Sequence, residues 1–266
     1  MRSTLRCGRL PRSYLGHHFE QVTTLTKSFQ SAHPLLLGVV TSAVATGANY
    51  AVPEQHSGEV VGLVFLVAAV LLALPRDSRV PASHYGLSLG GILDPEPLSL
   101  PRISREAIRA ALVATLVALV VLPPFWLGYV FWFSPQGSFD WQRALENAVQ
   151  GGGIVGWLNL ILVHLLVVAL PEEAFFRGYL QTALIDRLGK VQPRLRRVGF
   201  AIVLSSVLFA LGHLATTPVI GRLAVFFPSL LFGLLRDKTG SVGASIVLHA
   251  QCNVFSALLN SGYTFR

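Results

Sequence analysis

Charge is what this sequence has least of. Only 13% of its 266 residues are Asp, Glu, Lys or Arg, where a soluble domain carries about 25%. With 52% hydrophobic residues and a mean hydropathy of +0.58, a chain of this size cannot hide its apolar surface in one water-solvated core. That excludes an ordinary soluble enzyme and a disordered protein, and it makes lipid the solvent for most of the chain. Cysteine is almost missing as well. Cys7 lies in a basic leading segment and Cys252 inside an apolar run, so there is no disulfide framework and no secreted disulfide scaffold.

Acidic residues are scarcer than basic ones, 13 against 21, which leaves a formal charge of +8. Such a surplus suits nucleic acid only when it forms a continuous stripe. Here Lys and Arg cluster between apolar runs, the distribution that membrane topology requires, so no nucleic-acid partner is expected. Residues 1–33 are polar and basic and contain no signal-peptide core. They read as a cytoplasmic tail, with a mitochondrial transit peptide as the other reading of an Arg- and Ser-rich start.

Apolar segments follow near 34–52, 58–75, 107–133, 154–186, 198–214, 219–235 and 241–260. A span needs roughly 17–25 residues. The pattern predicts an all-α, polytopic transmembrane helical bundle of seven spans, or eight if Pro123-Pro124 splits the third segment. The fourth is long, and Pro171 is expected to bend it into a span up to Leu170 and a second piece from Glu172. Basic residues gather in the tail and in the 76–105, 187–197 and 236–238 loops, whereas the intervening loops carry Arg143 alone. Their alternation places the N-terminus in the cytoplasm of a multi-pass cell-membrane protein. The Pro- and Gly-rich stretch 76–105 is expected to be flexible, and Gly151-Gly152-Gly153 to be a hinge. Three regions result: a basic tail over 1–33, N-terminal transmembrane helices over 34–149, and a C-terminal transmembrane region over 150–266.

Ionisable groups inside spans are costly and are functional candidates by default. Glu172, Glu173, Arg177, His213 and His249 stand out, joined by Asn253. At about 100° per residue, Glu173 and Arg177 share a helix face and can form an ion pair. Glu172 diverges from Arg177 and remains the carboxylate in need of a partner, suited to general base work. Read alone, this cluster has a structural charge group at a helix end as its other reading. Phe209 and His213 are four apart, as are His249 and Asn253. Together these residues supply a base, imidazoles and hydrogen-bond donors, the needs of peptide hydrolysis. His164 reads as a packing residue or a support behind the site, and Cys252 as a buried, inert thiol.

Glu172-Glu173-x-x-x-Arg177, Phe209-x-x-x-His213 and His249-x-x-x-Asn253 resemble the three motifs of the CAAX-protease and bacteriocin-processing family of intramembrane endopeptidases. That family includes the Ras-converting endopeptidase and the bacterial Abi proteins. The stretch from Phe232 through Gly240-Ser241 to His249 is similar to the link between its last two motifs, and the resemblance covers roughly residues 150–260. It implies a membrane-embedded cavity and a catalytic region over 150–266. Glu172 would activate water with help from His213, and His249 and Asn253 would hold the oxyanion. Glu173, Arg177 and Phe209 would shape the site. No metal or other cofactor is expected, although Glu172, His213 and His249 form the alternative of a His₂Glu zinc site.

The expected partners are membrane lipid and a membrane-anchored or lipidated protein substrate, cut near its anchor or its lipidated C-terminus. Sorting tails of exported proteins at a bacterial inner membrane would be one such class. CAAX prenyl cleavage, a non-catalytic bacteriocin-immunity role and a multi-pass transporter are the alternatives.

Overall fold

A computed structural model describes residues 33–74, 80–94, 97–135, 137–149, 152–189 and 193–264. The basic tail up to residue 32, with Cys7, lies outside the described residues, as do Arg76, Arg79, Gly151 and Lys190. Eight helices carry the architecture: α1 (Pro34–Ala51), α2 (Glu54–Ala73), α3 (Leu100–Phe133), α4 (Trp141–Asn147), α5 (Gly153–Arg187), α6 (Arg194–Thr216), α7 (Phe226–Thr239) and α8 (Gly243–Gly262). There is no strand among the described residues, and α1, α2, α3, α5 and α6 are long and apolar enough to cross a membrane. The protein is therefore an all-helical, polytopic membrane protein. The segments expected to span at 219–235 and 241–260 appear as a short 3-10 turn (Ile220–Val225) leading into α7, of 14 residues, and as α8, of 20 residues.

Pro123, Pro124 and Pro171 all stand inside continuous helices. The third segment does not split, because α3 runs as one 34-residue helix with Pro123 and Pro124 inside it. Nor does Pro171 divide the fourth, since α5 is continuous over 35 residues. Two wide π-type turns, Val163–Ala169 and Ala174–Leu180, flank the short α segment Leu170–Glu173. Pro171 has no N–H for the carbonyl of Val167, and the wide turns shift the ladder by one residue, as in Leu170 N–H to Leu165 O. The Val167 oxygen lies against Gly62 of α2, where any Cβ would collide with it. Wide turns of this kind concentrate at functional sites.

α5 is the axis of the bundle and packs against α2, α6, α7 and α8. Phe65 of α2, Phe175 and Phe176 of α5 and Phe209 of α6 meet at ring-centroid distances of 5.1–5.4 Å. On the other side, Ala114 and Ala118 of α3 bury against α7 and α8, in a cluster with Phe232 and Leu248. Small residues allow this close approach where lipid offers no hydrophobic drive between helices. Gly240, at φ +73°, ends α7 in the left-handed cap conformation that glycine adopts without a Cβ penalty. The chain then turns back into α8, which sets Phe232 flat against His249, centroids 4.9 Å apart.

The 76–105 stretch is not wholly a loop. Its last residues belong to α3, and residues 80–94 form two short 3-10 turns docked under α5 and α7. Leu87 is 3% exposed, Gly86 O accepts from Val242 N at 3.0 Å, and Arg236 donates to His84 O at 2.9 Å. An apolar anchor plus these bonds outweighs the Gly- and Pro-rich composition. At the opposite end Trp126 donates to the Tyr263 hydroxyl at 2.9 Å and packs on Phe139 and Trp141, an aromatic cluster of the kind that sits at membrane–water interfaces.

Candidate active site

The ion pair that the four-residue spacing predicts is present. Glu173 Oε2 lies 3.2 Å from Arg177 Nε, and both side chains are fully buried. The guanidinium is held from a second helix as well. Its Nη2 donates to Ser229 Oγ of α7 at 2.6 Å and approaches the Ser229 carbonyl at 3.3 Å. Its face lies over Phe209 at 4.5 Å and near Phe232 at 5.3 Å, where an aromatic ring attracts a desolvated cation. The remaining oxygen of Glu173, Oε1, sits 2.9 Å from His249 Nδ1. An imidazole bonded to a carboxylate in this way has its tautomer and ring orientation set by that bond. The other ring nitrogen, Nε2, is then turned to Glu172, 3.8 Å from Oε2.

Glu172 faces different surroundings. It is 7% exposed and lines a cavity of about 40 Å³ together with Ser42, Thr46, Phe65, Phe209 and His213. That is room enough for water, and the walls carry the polar partners water needs. Glu172 Oε2 and Ser42 Oγ are buried and have no hydrogen-bond partner in the protein. His213 Nδ1 is 3.0 Å from the Phe209 carbonyl and so donates to it. In the neutral ring this leaves Nε2 as an acceptor. The ring also packs on Phe209, centroids 4.4 Å apart.

The fold thus brings Glu172, Glu173, Arg177, Phe209 and His249 into one cluster and places His213 on the same cavity as Glu172. Asn253 lies one turn beyond His249 on α8, half-buried and without a hydrogen bond among the described residues. His164 is half-buried in the first wide turn, its Nδ1 lacking a partner. Cys252 is a free, half-buried thiol. Three residues had escaped the sequence reading. Ser42 and Thr46 are four apart on α1, a spacing that marks one polar face in an apolar helix, whereas Ser229 is a lone hydroxyl with no periodic signal. As for a metal, no group of three or more His, Cys, Asp or Glu side chains among the described residues is arranged to hold one.

Glu172 and His213 thus face a water-sized cavity inside the helical bundle, and Glu173, Arg177 and His249 form a buried cluster beside Glu172. Residues 154–255 match the family model of type II CAAX prenyl endopeptidases, Rce1-like, and this stretch includes all seven motif residues from Glu172 to Asn253. Over it the resemblance read from the motifs is borne out, and the match supports an intramembrane protease. No curated protein and no solved structure matches the chain.

Proposed function

We propose that the protein is a glutamate-type intramembrane endopeptidase that cuts a peptide bond near a membrane anchor or a lipidated C-terminus. The observation that carries this reading is the contrast between two adjacent carboxylates. Glu173 is committed to Arg177 and His249, while Glu172 Oε2 has no hydrogen-bond partner, only the His249 ring at 3.8 Å, and lines a small cavity with His213. Glu172 takes a proton from water, with His213 Nε2 as a second acceptor, and the hydroxide adds to the scissile carbonyl. The oxyanion takes hydrogen bonds from Asn253 Nδ2 and from the His249 ring, which Glu173 orients through Nδ1. Glu172 then returns the proton to the leaving amine, so water is divided between the two new termini.

No metal takes part in this scheme. The substrates are membrane-anchored proteins, with sorting tails of exported proteins as the class favoured by an outward-opening cavity. His213 lies toward the end of α6 away from the basic loops, which supports that direction. The N-terminus is cytoplasmic and the protein sits in the cell membrane, a bacterial inner membrane on this reading. The match of residues 154–255 to CAAX prenyl endopeptidases favours a second substrate, a prenylated CAAX terminus. Quantitative membrane proteomics of cells carrying wild type or Glu172→Ala tests the mechanism. Fragments present in wild type and missing in the variant support it, and undiminished fragments overturn it. Exhaustive chelation leaves cleavage by the purified protein unchanged, and zinc-dependent recovery would contradict that. Reporter fusions within residues 134–150 report an extracytoplasmic position, and cytoplasmic signals would reverse the orientation.

A further inference from the structure

α5 and α7 are joined by two polar rungs at one repeat. Arg177 donates to Ser229, and one turn on Gln181 Nε2 donates to the Gly233 carbonyl at 3.1 Å. The donors are four residues apart on α5 and the acceptors four apart on α7, so the rungs stack along one helix–helix seam. Gly233 is part of the design, because a Cβ there would meet Gln181 Oε1 and Ile202 at 2.9 Å. Both rungs are buried, but they differ in what lies beyond them. The Gln181 rung ends in the packing between α5 and α7. The Arg177 rung continues through Glu173 to His249 Nδ1, and its ring reaches toward Glu172.

We infer that Ser229 is a positioning residue for His249, acting through Arg177 and Glu173; the catalytic consequence rests on the protease reading above. A guanidinium with Ser229 Oγ on Nη2 and aromatic faces around it has one seat. From that seat it engages Glu173 Oε2 and leaves Oε1 to the imidazole. Without the Ser229 hydroxyl, Nη2 keeps only its longer contact to the Ser229 carbonyl at 3.3 Å, and the strongest acceptors within reach are the carboxylate oxygens of Glu173. Recruiting them loosens the bond at His249 Nδ1, and with it the direction of Nε2. Partners that orient metal-bound histidines from behind are worth about 10–100-fold in activity, and a loss of that order is expected for this relay.

The test uses full-length protein in detergent, labelled with ¹⁵N-histidine, with the His249 signals assigned by their loss in His249→Gln. In wild type, His249 reports a single species with Nδ1 protonated and hydrogen-bonded. Ser229→Ala and Ser229→Cys, the second keeping the volume but accepting weakly, replace it with a shifted or mixed-tautomer signal. Gln181→Met breaks the other rung, lowering the unfolding temperature while leaving the His249 signal as in wild type. In the proteomic assay the Ser229 variants slow fragment production about 10–100-fold, and Glu172→Ala abolishes it. A wild-type His249 signal in both Ser229 variants overturns the inference, as does an equal shift in Gln181→Met. A shifted signal in the Ser229 variants with undiminished fragments in Glu172→Ala supports the relay to His249 and overturns the protease reading alone.

Discussion

Glu172 and Glu173 are consecutive in the chain, yet they stand in two different regions of the molecule. Behind Glu173 is a dry relay of Ser229, Arg177 and His249 that ties α5 to α7 and α8. In front of Glu172 is a small polar cavity walled by α1, α2, α5 and α6. The relay is paired at its charges and closed by Phe209 and Phe232. The cavity holds orphaned oxygens at Glu172 and Ser42. Burial alone does not assign the roles, because both carboxylates are buried. What separates them is how closely the charge is engaged: Glu173 is held at 3.2 and 2.9 Å, whereas Glu172 has only the His249 ring at 3.8 Å. A buried pair stabilises an arrangement, and a buried group without a close partner is available for chemistry.

The largest expected effect comes from breaking the dry side. Glu173→Ala leaves Arg177 as an uncompensated buried charge, a change that costs about 3–5 kcal/mol. Thermal unfolding in detergent should show it as a large drop or a failure to fold, and an unchanged midpoint would mean that Glu173 is not the counter-ion. Next is Asn253→Ala, on the substrate side. Loss of one oxyanion donor slows chemistry by roughly 10²–10³-fold. Because Asn253 makes no hydrogen bond among the described residues, its unfolding midpoint should stay near wild type. A loss of stability without a loss of cleavage would reverse its assignment.

Smaller again is Gly62→Ala, which presses a methyl onto the Val167 carbonyl. Overpacking of this kind costs about 1–3 kcal/mol. It tests whether the wide turn before Glu172 depends on close contact with α2. The smallest is Ser42→Ala. Its hydroxyl has no protein partner, and removing an unsatisfied buried polar group is close to neutral or mildly stabilising. A destabilisation above about 1 kcal/mol would show that Ser42 is bonded after all.

The contrast between the two carboxylates was half legible in the sequence. Helical spacing alone pairs Glu173 with Arg177, since that contact lies within one helix and follows from 3.6 residues per turn. It also leaves Glu172 free. The bond from Glu173 to His249 joins residues 76 apart in the chain, and no local periodicity reports on it. Only the return of α8 across α5 creates it. Ser229 was invisible for the same reason, being one hydroxyl in an apolar run whose partner lies 52 residues away.

Pro171 was misread for a different reason. The rule that proline breaks a helix assumes α geometry throughout, and here wide turns on either side carry the chain past the missing N–H. The Gly- and Pro-rich stretch before α3 was misread because composition signals turns. It does not reveal that Leu87 and Gly86 dock those turns onto the bundle.

The central claim is that adjacent carboxylates divide the work, Glu172 reacting and Glu173 holding. One paired measurement tests it most directly: Glu172→Gln and Glu173→Gln compared in the same preparation for unfolding midpoint and for fragment production. The account predicts that Glu172→Gln unfolds near the wild-type midpoint with cleavage lost by about 10²–10⁴-fold, while Glu173→Gln unfolds at a clearly lower temperature. Wild-type cleavage by a stably folded Glu172→Gln protein would contradict it.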